Sequence, residues 1–278
     1  MPVRVVTDSA CDLPDDLVER LGVEVVPLTI RFGSEELIDR KELSTDDFWR
    51  RLKSSPVLPE TAAPSVGAFE SAFRGLAADG ADGIICINLS SALSATMQSA
   101  QVAAQNLEGT CPVVVVDSLT ISMGLGNLVV AAAEAAAAGA SLEEVVSACR
   151  SQLTRTKLFG SLDTLEYLRK GGRVGGAQAL LGSLLSIKPV VEIRDGVVAE
   201  AGKVRTRSKA LRNLAQFVGR QPVERLAVIH GNAPDLEEFI ELVSPYAPRD
   251  EILVGQVGPV IGTHAGPRVM GVTFQTLA

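Results

Sequence analysis

Apolar positions along this chain fall into short, evenly spaced runs. Val3 to Val6 is a β-branched run, and Val23 to Ile30, Gly83 to Asn88 and Val113 to Val116 repeat the pattern. Runs of this length, bounded by turn residues, predict buried strands. Between and after them, apolar residues recur at helical spacing near 65–77, 94–106, 123–138 and 142–155. A short helix is predicted from about Pro14 to Leu21, with Asp12 as its cap and Pro14 in its first turn. Ser44 or Thr45 caps another that runs through Trp49 and Leu52. Strands separated by helices predict parallel pairing and right-handed crossovers.

The pattern changes near residue 158. Residues 162–185 read as a short helix, a Gly-rich break and an apolar helix, the last over Ala177 to Leu185. Residues 187–206 read as a β-hairpin turning at Asp195-Gly196. A helix near 208–219, a strand at 225–230, a helix at 235–244 and strands near 252–256 and 270–276 complete the chain. The predicted fold class is α/β in two domains. Residues 1–157 form a mainly parallel sheet with flanking helices, and 158–278 an α+β domain with a mixed sheet, the boundary lying within about ten residues of Leu158.

Composition narrows the function. Hydrophobic residues make up 46% of the 278 but aromatics only 4%, so the core is built from Ala, Val, Leu and Ile. The net charge of −7 disfavours nucleic acid as a partner, because phosphate binding needs a basic footprint. Cys11, Cys86, Cys111 and Cys149 form no C-x-x-C pair and mostly adjoin apolar runs, which fits a reducing cytoplasm rather than a disulfide framework. His230 and His264 are too few and too scattered to suggest zinc. The opening MPVRVVTDSA lacks the pattern of a secretory signal. The most apolar helix, near 126–140, is Ala-rich, short for a bilayer and interrupted by Glu134.

Candidate chemistry gathers at strand ends. The runs ending VVTDSA, INLSSALS and VVVDSL carry hydroxyls and Asp where ligands of open α/β sheets bind. Thr7, Asp8, Ser9, Ser90, Ser91, Ser94, Asp117 and Ser118 are thereby directed towards one crevice, with Thr7, Ser9, Ser91 and Ser118 as its edge. The stretch Ser90 to Thr96 opens a helix whose free N–H groups suit a carboxylate or phosphate; ordinary capping is the competing explanation. Thr61, ahead of Pro64 and Ser65, is either a plain cap or a donor to a ligand anion. His264 lies in a Gly- and Pro-rich stretch, 258–267, that reads as a rigid loop allowing close ligand approach. Arg169, Lys170 and Arg173 form one basic cluster, and Lys203, Arg205, Arg207 and Lys209 a second. Each is a solvated face or a docking surface. No P-loop, dinucleotide fingerprint or nucleophile elbow is present.

Taken in order, these segments resemble the DegV family of bacterial fatty-acid-binding proteins over nearly the whole chain. Thr7-Asp8-Ser9 with Asp12-Leu13-Pro14 looks like the family's opening TDS-x-x-DLP, and Pro27-Leu28, Gly33 and Asp39 follow in place. SSALSATMQSA at 90–100 is similar to SS-x-LSGTYQSA, and Asp117-Ser118 with Gly124 and Gly126 matches a further stretch. Tyr167 to Arg173 matches YLKKGGRI, and Ile187-Lys188-Pro189 and His264-Ala265-Gly266-Pro267 complete the set. The resemblance implies two α/β domains with an acyl chain between them, its carboxylate held by Thr61 and Ser94 with His264 near the head group. It implies no cofactor, metal or catalytic residue of the chain's own. It also implies a partner fatty acid kinase that phosphorylates the bound lipid for phospholipid synthesis. The two basic clusters are then its docking face and that of a transient membrane-surface contact. The chain departs from the family at Ala62, Ala95, Met97 and Arg268, where TSQPS, LSGT, a Tyr and a Gly are usual.

A lipid ligand agrees with the physics. A chain of ~16 carbons gains ~0.8 kcal/mol for each CH₂ removed from water. Hydroxyls can meet its carboxylate without a buried counter-charge. Ala177 to Leu185 are candidate tunnel walls or ordinary core. Two other functions share the same residues: an acyl hydrolase with Ser94 as nucleophile and His264 as base, and a sensor of a small carboxylate or phosphate.

Overall fold

The first strands and helices alternate as the pattern predicts, with one break. In a computed structural model, which describes residues 3–107, 109–182 and 187–277 (the side chains of 180–182 excepted), β1 (Val3–Asp8) leads through a 3-10 turn at Ser9–Cys11 to α1 (Asp15–Leu21). The single strand expected over Val23 to Ile30 is two, β2 (Glu24–Val26) and β3 (Thr29–Phe32), in different sheets. Between them, the Leu28 N–H donates to Ser9 Oγ and its carbonyl accepts from Asp39 N, so neither group is left for a ladder. β4 (Glu35–Ile38), α2 (Thr45–Ser54), β5 (Glu60–Ala62), α3 (Val66–Ala78), β6 (Gly83–Asn88), α4 (Thr96–Gln105) and β7 (Val113–Asp117) follow. Strands β2, β1, β6 and β7, in that order, make a parallel four-stranded sheet, and β4-β3-β5 a small antiparallel one.

Helix α5 (Ser122–Ala137) is buried over most of its surface, with only Glu134 and Ala137 exposed near its end, which explains why it has no polar stripe. It packs against β1 on one side and against the second half of the chain on the other. A neighbouring helix, α6 (Leu142–Leu153), covers its outer flank. One hydrophobic cluster runs from Val5 and Ile87 through Leu125 and Leu128 to Ala227 and Ile229, joining both sheets.

From Thr156 on, all strands enter one six-stranded mixed sheet, ordered β10-β9-β8-β13-β11-β12. Its members are β8 (Thr156–Ser161), β9 (Lys188–Arg194), β10 (Val197–Val204), β11 (Val223–His230), β12 (Leu253–Gln256) and β13 (Met270–Thr276), flanked by α7 (Glu166–Lys170), α8 (Arg207–Val218), α9 (Leu236–Val243) and α10 (Pro259–Ala265). The β9–β10 hairpin turns at Asp195 and Gly196, with φ of 52° and 80°. Two successive positive φ values are what a two-residue turn matching strand twist requires.

Three further expectations change. Asp12 does not cap α1: Pro14 occupies that position without a side-chain bond, and Asp12 is buried in a left-handed conformation. Residues 259–265 are the helix α10, with Pro259 at its start, not a rigid loop. The apolar helix expected over Ala177 to Leu185 is a 3-10 segment across Gly175–Gly182; residues 183–185 lie outside the described residues.

Candidate functional site

Three separate elements bring polar groups to one apolar cavity. Thr61 lies in β5, opposite Ile30 of β3, which fixes the direction of its side chain. Ser94 precedes α4, its N–H bonded to the Ser90 carbonyl. His264 sits in the last turn of α10. All three line a cavity of about 70 Å³ whose remaining wall is largely Leu28, Leu89, Leu93, Ile121, Val198 and Val260. Arg173, just after α7, lines it too. Thr61, Arg173 and His264 also border a polar recess of about 350 Å³ outside it, with Lys170, Tyr167 and Glu60. These three residues therefore stand between an apolar interior and a polar outer basin.

The motif glycines make this packing possible. A Cβ on Gly171 would collide with the His264 ring, and one on Gly266 with the Tyr167 ring. The Lys170-Gly171-Gly172-Arg173 and His264-Ala265-Gly266-Pro267 segments thus interlock, which is why residues so far apart in sequence form one wall.

The hydrogen bonds divide the trio. Thr61 Oγ1 and His264 Nε2 are 3.0 Å apart. Ser94 Oγ instead lies 2.9 Å from Thr96 Oγ1 and accepts from Thr96 N. His264 Nδ1 is buried with no partner among the described residues. Placing the imidazole proton on Nε2 leaves only a lone pair unpaired at Nδ1, and turns the Thr61 hydroxyl proton towards the cavity. Burial, and then the Arg173 charge, push the His264 pKa down from 6.5 to about 4. The ring is neutral near pH 7. Arg173 donates through Nε to the Leu93 carbonyl (3.2 Å) and through a terminal nitrogen to the Gly171 carbonyl (2.6 Å). The sequence pattern puts Arg173 in a basic cluster expected to form a docking face; the structure puts it in the cavity wall.

The polar edge of the four-stranded sheet does not join this cavity. Thr7 Oγ1 donates to the Ile87 carbonyl, Ser9 Oγ accepts from Leu28 N, Ser91 bonds Asp117, and Ser118 Oγ donates to the Thr120 carbonyl. None of the four lines it. Asp8, fully buried, accepts from Ala10 N, Leu89 N and Asn88 Nδ2. Burial still raises its pKa from 3.8 to about 6.

The basic stretches divide as well. Arg169, Lys203 and Arg205 are exposed, while Lys170 pairs with Glu166 at 2.7 Å. Arg207 is drawn inward onto Asp235 through two bonds. The departures from the family pattern also acquire reasons. Arg268 has φ of 61°, a left-handed position where Gly is the unstrained choice. Ala95 stands at φ −78°, which any residue accepts. Ala62 is exposed. The four cysteines are free and buried, and among the described residues no cluster of His, Cys, Asp or Glu suits a metal. None of the described helices is long and apolar enough to cross a membrane.

Comparison with known proteins gives a consistent answer. The sequence profile of the DegV family, described as an uncharacterised protein family, matches residues 2–277. A DegV domain-containing protein of Streptomyces coelicolor is 40% identical over 281 aligned residues, covering 99% of this chain and 98% of that one. A fatty-acid-binding DegV family protein from Thermus thermophilus superposes with a TM-score of 0.91 at 34% identity, over the full length of both chains. DegV of Bacillus subtilis, a fatty acid binding protein, gives 0.88 at 30% identity, again over both full lengths.

Proposed function

This chain belongs to the DegV family, and on that premise we propose that it is a cytoplasmic carrier which holds one long-chain fatty acid and offers its carboxylate to a fatty acid kinase for acyl-phosphate formation. The observation that carries the reading is the placement of Thr61, Ser94 and His264 on one apolar cavity, with Thr61 and His264 also facing the polar recess. The carboxylate accepts from the Thr61 and Ser94 hydroxyls, and Arg173 adds positive charge beside it. A volume of about 70 Å³ has room for roughly two waters, and so for a head group and the first carbons. The rest of the acyl chain enters as the flanking Leu, Ile and Val side chains part.

A carrier fits the hydrogen bonds better than an acyl hydrolase. Ser94 bonds Thr96 and His264 bonds Thr61, so the nucleophile–base pair that hydrolysis needs is not assembled. Exposed Arg169, Lys203 and Arg205, with Lys170 at the recess, supply the docking face for the kinase and for brief contact with an anionic membrane. Surface cations of this kind steer encounter and weaken with salt.

Organic extraction and mass spectrometry of protein purified from a bacterial host should release a stoichiometric amount of one long-chain fatty acid. A chain that stays empty after incubation with free fatty acids overturns the proposal. Reversing Arg169 and Lys203 to Glu should slow phosphorylation of the lipid while ligand content holds; an unchanged rate would make the cluster a solvated face.

A further inference from the structure

The opening motif's Asp12 has no part in the head-group site, yet it is one of the most constrained side chains in the molecule. It is 3% exposed and left-handed, with φ of 53°. One carboxylate oxygen accepts from Gly258 N at 3.0 Å, and the other from the Ser122 hydroxyl. Gly258 is the residue that opens α10, and Ser122 the residue that opens α5. Ser122 is left-handed too, with φ of 52°. Strained backbone at both ends of one hydrogen bond persists only where the surroundings over-determine it.

The corner is closed from every side. A Cβ on Gly258 would come within 2.9 Å of Asp12 Oδ1, and one on Gly126 of α5 within 2.9 Å of the Cys11 carbonyl. The Arg40 guanidinium donates to the Leu13 carbonyl at 2.8 Å, fixing the next residue. Val257 is held laterally by Trp49 Nε1 on its carbonyl and by its own N–H on the His230 carbonyl. Among the described residues, Asp12 alone accepts from Gly258 N, just ahead of the helix. Asp39, Asp15, Asp46, Arg40 and His230 line the recess next to it, and Asp8 ends β1 four residues earlier.

Helix α10 has seven residues and is rigid over a length of about 10 Å. Gly258, which caps its start, donates to Asp12, and its last turn carries His264, bonded to Thr61. We propose that Asp12 is a positioning residue for the head-group site: by holding the start of α10 against the start of α5, it sets where His264 meets Thr61, and through Thr61 how the site tells an acid from its ester. The proposal rests on the fatty-acid reading only for its second half.

Asp12→Ala should cut the preference for a long-chain acid over its methyl ester by about tenfold. Asp12→Asn, whose amide can accept from Gly258 N and contact Ser122, should keep most of it, and Ser122→Ala should fall between them. The second readout needs no ligand. With two histidines in the chain, His230→Gln assigns the imidazole ¹⁵N signals, and the His264 Nε2 signal should move in Asp12→Ala but not in Asp12→Asn. Should Asp12→Ala fail to fold, Ser122→Ala carries both measurements. Unchanged His264 signals and an unchanged acid-to-ester ratio in these variants overturn the proposal and leave Asp12 a purely structural residue. If the wild type binds neither acid nor ester, the fatty-acid reading fails, while the ring signals still decide the positioning role.

Discussion

The polar edge of the four-stranded sheet and the cavity at Thr61, Ser94 and His264 are both hydroxyl-rich and both lie where strands give way to helices. They differ in where their hydrogen bonds go. At the edge, Thr7, Ser9, Ser91 and Ser118 all bond protein atoms, and Asp8 takes three donors. At the cavity, Thr61 Oγ1 meets His264 Nε2 and Ser94 Oγ meets Thr96, and with the imidazole proton on Nε2 the Thr61 hydroxyl proton is left free to donate. A buried polar group is stable when its bonds are made inside the fold, and binds when the fold leaves a donor for someone else. On the proposed reading, the edge is architecture, and the cavity is where the fatty acid completes the structure.

Asp8→Ala tests the architectural side hardest. Three buried donors lose their acceptor, which should cost about 3–5 kcal/mol in denaturant unfolding. Whatever fraction remains folded should still prefer an acid to its ester. A variant as stable as the wild type breaks the comparison, since the edge would then carry no structural load.

The second test is pH, because the two regions respond with opposite sign. His264 has a folded pKa of about 4, below the ordinary 6.5, so the unfolded chain binds more protons between those values. Its contribution is complete above pH 6.5 and is lost as pH falls towards 4, by up to about 3 kcal/mol. Asp8 is raised from 3.8 to about 6, and Asp12 from 3.8 to about 7, both first by burial. There the folded chain holds the extra proton, and stability falls as pH rises across those windows. Equilibrium unfolding from pH 4 to 8 should show His264→Gln removing a rise with pH and Asp8→Asn removing a fall. Slopes of the same sign in both variants would count against the contrast.

The smallest expected change is the most specific. Thr61→Ala and Ser94→Ala should each weaken fatty-acid binding by ~1.5–3 kcal/mol, the usual cost of one hydrogen bond to a charged group. Stability should stay within about 0.5 kcal/mol, since both residues are only half-buried. Displacement titration against a fluorescent fatty acid measures the first and thermal unfolding the second. Wild-type affinity in both variants would move the head group elsewhere.

Much of this was legible in the sequence because it is local. Periodicity finds β1, β6, β7 and helices α3 to α6 to within a few residues, and Asp195-Gly196 marks the hairpin turn, since both depend on neighbours in the chain. The ordered motifs point to the family for the same reason. What the sequence could not assign was the destination of each polar group. Asp12 reads as a cap on the helix beside it, but its bonds go to Gly258 and Ser122. Thr7 and Ser9 read like Ser94, yet they close on Ile87 and Leu28. Arg173 reads as surface charge, yet it lines the cavity; the hint was the nearby Gly171, which packing against His264 requires. Sequence by itself determined which segments become strands and helices, and the family they spell, because backbone preference and hydrophobic period act over a few residues. Tertiary structure alone decided where each polar group finds its partner, because that depends on residues brought together from as far as 246 positions apart.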